Sequence, residues 1–317
     1  STSRSDASLR AARPRDMPVA APLPRSRALA LIGAGLALGG CGGGKSGPQV
    51  SVGAKDFTEE LILGEIYAQV LEQNGFTVAR KLNLGGTDIA MEALRRGEID
   101  LYPEYTGTAL LTQLKRPPLR DGAEIYRVVK SAYQKDYQLT WLDPAPANNT
   151  QALATTGPLA ARYNIRTLSG LAVAAPQLRL GAIPEFLKRS DGLPGLQRVY
   201  GGFAFKETRL IDIGLKYKAL LIGDVDVVVA FGTDGEIIGD RLTVFTDDKH
   251  FWPAYNVAPV VRDQTLATYP AIATHLNKTA PFLTDTQMRS LNDQVEGTQK
   301  REAGDVARDF IKTHGLV

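Results

Sequence analysis

Apolar residues recur along this chain with two alternating periods, and the alternation sets the fold class. VSVGAK (50–55) reads as a short strand. Thr58 then suits the cap of a helix whose apolar positions 61, 62, 66, 70 and 71 share one face, with Gly75 near its end. TVARKLNL (77–84) is strand-like, a helix over 87–96 stops at Gly97, and IDLYP (99–103) is the next strand. DGAEIYRVVKSAYQKDYQ (121–138) is helical and LTWLD (139–143) extended. Such β-α-β grammar predicts an α/β fold with mostly parallel sheets.

The middle of the chain repeats the grammar. LRLGAIP (178–184) is a strand, followed by helices around 185–190 and over 214–222. VDVVVAF (225–231) is a buried strand and RLTVFT (241–246) a further one. After VAPVV (257–261) the character changes: 264–279, 284–296 and 300–314 are amphipathic helices in succession, with no strand between them. They predict a C-terminal helical cover that returns to the first of two α/β lobes. With the chain crossing near 151 and back near 253–257, the lobes leave a cleft between strand ends, where open α/β sheets bind ligands. The division expected is 50–151 and 253–317 for the first lobe and 152–252 for the second.

Composition narrows the classes. Apolar residues make up 44%, charged residues 22%, and the formal net charge is only +3, spread evenly, which argues against a nucleic-acid partner. The chain holds a single cysteine, Cys41, so no internal disulfide is possible.

That cysteine sits in LGGCGGGKSG (38–47), which satisfies the phosphate-loop pattern G-x-x-x-x-G-K-[ST]. The context opposes nucleotide binding. The preceding run, ALALIGAGLAL (28–38), is not a β-branched strand, and Pro48 blocks a helix from starting at Ser46. A secretion signal accounts for every part: Arg25 and Arg27, an apolar run too short to span a bilayer, and a small-residue cleavage site before Cys41. LGGC resembles a bacterial lipobox, which implies lipid on Cys41 and a flexible tether over 41–49. Residues 1–40 are then an upstream extension plus signal peptide, and the mature chain lies outside the cytoplasm on a membrane anchor.

Catalysis finds few actors. His250, His275 and His314 are scattered without ligand spacing, and no G-x-S-x-G elbow exists. No metal or cofactor is expected.

VGAKDFTEELILGEI, LGGTDIAMEAL and GEIDLYPEYTGTAL closely resemble the substrate-binding lipoproteins of ABC importers for glycine betaine, carnitine, choline and related osmoprotectants. The likeness continues through NNTQAL, EFLKRSDGLPGL, GLKYKAL, VDVVVAFGTDGEI, TDDKHFWPAY and APVV, over about residues 50–317. It implies a type II periplasmic-binding-protein clam-shell with C-terminal helices, a small quaternary ammonium or zwitterionic solute, and a permease with separate ATPase subunits. A trimethylammonium head has no N–H to donate, so aromatic faces hold it, at about 0.5–2 kcal/mol per ring. By resemblance, Tyr105, Tyr217 and Phe231 are cage walls and Thr108 contacts the ligand's tail. Arg189 clamps a carboxylate, with Glu185 one turn earlier on the same face. NNTQAL places Asn149 and Gln151 at the site. Gln151 stands where the family has tyrosine, and Ala147 where it has phenylalanine. Losing a ring costs about 1–2 kcal/mol, so the resemblance implies either weak betaine binding or a ligand that uses the Gln151 amide.

The same residues have plainer readings. Tyr217 suits helix packing, Phe231 suits a core strand, and Arg189 beside Asp191 suits a surface ion pair. Receptors for amino acids or other polar solutes, and a periplasmic enzyme on the same fold, remain alternatives.

Overall fold

The computed structural model describes residues 47–239 and 242–316. Cys41, the secretion signal and most of the tether lie outside the described residues.

Among the described residues, ten strands form two five-stranded sheets. The first holds β1 (Gln49–Gly53), β2 (Thr77–Lys81), β3 (Leu101–Tyr105), β4 (Leu139–Trp141) and, from far along the chain, β10 (Val257–Arg262). Their order is β2-β1-β3-β10-β4. The second holds β5 (Gln151–Thr156), β6 (Arg179–Ala182), β7 (Glu207–Leu210), β8 (Val227–Phe231) and β9 (Leu242–Val244), in the order β7-β6-β8-β5-β9.

Both sheets are mixed, which corrects the expectation of mostly parallel pairing. β1 is parallel to β2 and β3, but β10 runs antiparallel to β3 and β4. In the second sheet β6 is parallel to β7 and β8, while β5 is antiparallel to β8 and β9. In each sheet the antiparallel strand is the one that adjoins a passage between the sheets.

Helices cover both faces of each sheet. Ile62, Leu63, Ile66 and Leu71 of the helix Thr58–Gln73 are buried against Val50 and Val52. The C-terminal helices Asp285–Glu296 and Ala303–Thr313 close over this core through Met288, Leu291, Val306 and Phe310. Thr58 is the first residue of its helix rather than its cap; Phe57 holds the cap position without a side-chain bond. The helix Thr87–Arg96 has the limits its pattern predicts.

Two segments depart from expectation. The stretch around 185–190 forms turns instead of a helix, because Leu193 N–H donates back to Phe186 O at 2.8 Å and folds the chain on itself. The stretch 264–279 breaks into Asp263–Thr268 and Ala271–Asn277, with Pro270 between them.

The two passages between sheets are pinned to each other. Asn148 and Asn256 form an isolated antiparallel bridge. Asn149 N–H donates to Tyr255 O at 3.1 Å, and Tyr255 N–H donates to Asn148 Oδ1 at 2.8 Å.

Candidate functional site

A cavity of about 450 Å³ opens between the two sheets at their strand ends. β3 delivers Tyr105, and the turn into the helical stretch 106–113 delivers Thr108. At Gly107 an added Cβ would lie 2.7 Å from the Tyr255 ring and 2.8 Å from Ala254 O, so only glycine lets this turn seat against the returning chain. Gln151 and Phe231 come from opposed positions on β5 and β8, which places them side by side on one sheet face.

Seven of the eight ligand-site residues expected from sequence line this cavity: Tyr105, Thr108, Asn149, Gln151, Glu185, Arg189 and Phe231. Tyr217 does not. Its hydroxyl donates to Asp234 Oδ2, the carboxylate oxygen that also accepts from Lys216 Nζ and Phe231 N–H, and this holds the ring in the core behind Phe231. Ala147 is likewise buried in the first sheet's core and lines no part of the cavity.

Phe57 supplies a ring that the sequence did not single out. Its centroid lies 6.2 Å from that of Tyr105 and 6.4 Å from that of Phe231, with interplanar angles of 28° and 13°. The three rings are thus roughly parallel. Two lysines already use part of their π-surface: Lys55 Nζ lies 4.8 Å from the Tyr105 centroid and Lys216 Nζ 4.4 Å from that of Phe231. Asp56 and Asp212 sit exposed among the cavity's lining and favour a cation at its mouth.

Arg189 and Asp191 are not a surface pair. Asp191 is 2% exposed and accepts from Arg189 Nε at 2.8 Å and Nη2 at 2.5 Å, from Gln151 Nε2 at 2.6 Å and from the Tyr255 hydroxyl at 2.6 Å. Burial alone pushes the Asp191 carboxyl up, but the bonds and charge of Arg189, with the Tyr255 hydroxyl, more than offset it and leave the group below the usual carboxylate range. Asp191 therefore fixes both the guanidinium and the Gln151 amide. Arg189 Nη2 lies 3.5 Å from Thr108 Oγ1, across the cleft.

A second cluster stands behind Tyr105. Glu59 accepts from the Tyr105 hydroxyl at 2.7 Å, from Asn149 Nδ2 at 2.9 Å and from Asn292 Nδ2 at 2.9 Å. Burial raises its pKa above the ordinary value, against the pull of donors that include Asn292 and the Tyr105 hydroxyl. Lys55 Nζ donates to Glu104 at 2.8 Å and lies 3.5 Å from Glu60. Burial pushes the Glu60 carboxyl up to about 8, opposed by Lys55 and reinforced by Glu104. Asn149 Oδ1 is buried without a protein partner, an acceptor open to a ligand's donor.

Glu185 does more than line the cavity. Its Oε1 accepts from Thr87 N–H at 3.0 Å and so caps a helix of the opposite lobe. Gly86, the cap position, has no side chain to do this. Among the described residues no group of three or more His, Cys, Asp or Glu is arranged to hold a metal ion, and no helix is long and apolar enough to cross a membrane.

Two mixed sheets, helices on both faces and a cavity between them define a two-lobed solute-binding protein of the type II periplasmic clam-shell class. The chain belongs to the family of substrate binding domains of ABC-type glycine betaine transport systems, whose model matches residues 48–313. A glycine-betaine-binding protein of Pseudomonas aeruginosa is 36% identical over 301 residues, covering 92% of this chain and 95% of that one. The ergothioneine transport permease/ergothioneine binding protein EgtU of Helicobacter pylori is 35% identical over 84% of this chain, which spans only 47% of that relative's length. Among solved structures, a glycine betaine/carnitine/choline ABC transporter protein is similar with a TM-score of 0.69 and 29% identity, covering 86% of this chain and 99% of that one.

Proposed function

We propose that this protein is the extracytoplasmic receptor of an ABC importer and that it captures a quaternary ammonium solute between its lobes without transforming it. The observation that carries this reading is the set of parallel rings, Phe57, Tyr105 and Phe231, on an interlobe cavity with exposed carboxylates among its lining. A trimethylammonium head fits against the ring faces that the lysines leave uncovered, at about 0.5–2 kcal/mol per ring. Arg189, held by Asp191, and Thr108 receive the polar end, while Gln151 and Asn149 orient it. Glu185 draws the lobes together by capping the opposite helix.

The lobes correspond to 50–151 with 253–317, and to 152–252; sheet membership supports this division to within a residue, since β5 of the second sheet begins at Gln151. Lipid on Cys41 tethers the receptor to the membrane, and the closed lobes dock on a permease whose separate ATPase subunits supply the energy. The nucleotide is theirs, so GGCGGGKS has no part in transport.

Calorimetry and thermal shift against glycine betaine, choline, carnitine, ergothioneine and a panel of amino acids test this reading, with product analysis alongside. Saturable binding of at least one quaternary amine with no product is the expected result. Binding of amino acids alone would replace it with an amino-acid receptor, and turnover would replace it with an enzyme.

A further inference from the structure

The ring cluster and Arg189 occupy only part of the cavity. A betaine of glycine's size fills roughly 150 Å³ at organic-crystal packing density, against about 450 Å³ available. The remaining wall is mostly apolar, with the exposed Asp212 between Ile211 and Ile213 as its one carboxylate along the end of β7. Along the edge of the second sheet the strand order places Gln151 of β5 beside Phe231 of β8, then the end of β6, then the end of β7. Ile183 and Pro184 follow β6, and Leu210, Ile211 and Ile213 end β7 and the turn after it; all five line the cavity. None has a hydrogen-bonding or charged side chain. Strands lie about 4.8 Å apart, so this apolar wall reaches roughly 10 Å beyond Phe231.

Leu210 is the odd residue of its strand. Glu207, Thr208 and Arg209 are polar, as suits an edge strand, yet Leu210 leaves 66% of its surface exposed at the cavity. Its partner across the ladder is Ala182, and Ile211 N–H donates to Ala182 O at 3.0 Å, so the wall is held by main-chain bonds.

We propose that this wall is a subsite for an apolar, ring-sized substituent, and that the chain's ligand is a quaternary ammonium compound larger than glycine betaine. The inference rests on the head-group reading given above and adds the class of tail. A flat or branched hydrocarbon group, joined to the head by a short spacer, lies along Ile183 and Pro184 and covers Leu210 and Ile213. Burial of such a group is favourable in proportion to the apolar area removed from water.

The test is calorimetry on the full chain with tetramethylammonium, glycine betaine and (2-phenylethyl)trimethylammonium. The phenylethyl compound is expected to bind at least about 10-fold more tightly than tetramethylammonium, or to be the one that binds measurably. A double variant, Leu210→Ser with Ile213→Ser, is expected to lose that gain while leaving tetramethylammonium and glycine betaine affinities within about 2-fold of wild type. Equal affinity for the phenylethyl and methyl compounds would overturn the subsite while leaving the head-group reading intact. A gain that survives the double substitution would overturn it as well. No binding by any of the three would overturn the head-group reading, and the subsite with it.

Discussion

Substituting Gly86 by alanine is expected to hold the clam-shell open. The added Cβ would lie 1.9 Å from Glu185 Oε1 and 2.9 Å from its Cδ, far inside contact distance. Glu185 is the end of a flexible chain and 40% exposed, so it can swing clear without backbone strain. Swinging clear gives up the bond from Thr87 N–H, and with it the carboxylate at the helix N-terminus. A lost cap costs about 1–2 kcal/mol, and the carboxylate's interaction with the helix dipole falls in the same range. Opening that parts Glu185 from Thr87 breaks this contact anyway, so the free energy is expected to be lost from the closed state alone. A shift of about 1–2 kcal/mol in a closure equilibrium weakens ligand affinity by roughly 5- to 30-fold. Calorimetry would read the affinity, and small-angle scattering with and without ligand would read closure. Glu185→Ala should weaken binding similarly, and the Gly86→Ala/Glu185→Ala double variant should be no worse than Glu185→Ala alone, since both changes remove one contact. Wild-type affinity and wild-type closure in Gly86→Ala would refute the reasoning, as would additive losses in the double variant.

Phe231→Ala should weaken quaternary-amine binding by about 5- to 30-fold while shifting the melting temperature little, since the ring is only half-buried; equal loss for a neutral ligand would count against a cation–π role. Asp191→Asn strips a buried guanidinium of its charged partner and puts an amide donor in place of one of the two oxygens that accept from Arg189, Gln151 and Tyr255, so it should lower the unfolding free energy by about 3 kcal/mol in urea titration. Glu60 has a folded pKa of about 8 against an ordinary 4.5, so between those values the folded chain keeps a proton that the unfolded chain has lost. Its stabilising contribution is therefore full below about pH 4.5 and is lost as pH rises through about 8, by up to about 1.4 kcal/mol per unit. Urea titrations of Glu60→Gln and wild type should diverge in the variant's favour from about pH 5 to about pH 8; parallel curves would show that Glu60 is not the group responsible.

How much of this was legible in the sequence depended on how local the cause was. The helix Thr87–Arg96 has a full apolar face and glycines at both ends, and its pattern predicts its limits. β5 escaped notice because QALATT mixes alanine and threonine with a polar start and has no β-branched apolar run; its burial comes from β8 and β9, which lie far along the chain. Antiparallel insertion of β10 between β3 and β4 is a choice of sheet order, which periodicity does not encode. The same division applies at the cavity. Tyr105 and Arg189 carry recognisable motifs, whereas the side of its helix to which Tyr217 turns is decided by Asp234, 17 residues away. Arg189 and Asp191 look like a solvated pair until Tyr255, 64 residues on from Asp191, covers them. Phe57 was hidden because a phenylalanine before a helix start is ordinary packing on pattern alone.

The bridge between Asn148 and Asn256 has a mechanical result. Two separate linkers would allow twisting and sliding as well as bending. Cross-linked as a short ribbon, and braced by Arg289 Nε and Asn292 Nδ2, which donate to Gly232 O and Thr233 O just past β8, the two crossings resist twisting and sliding more than bending, which favours return of Glu185 to the same backbone N–H.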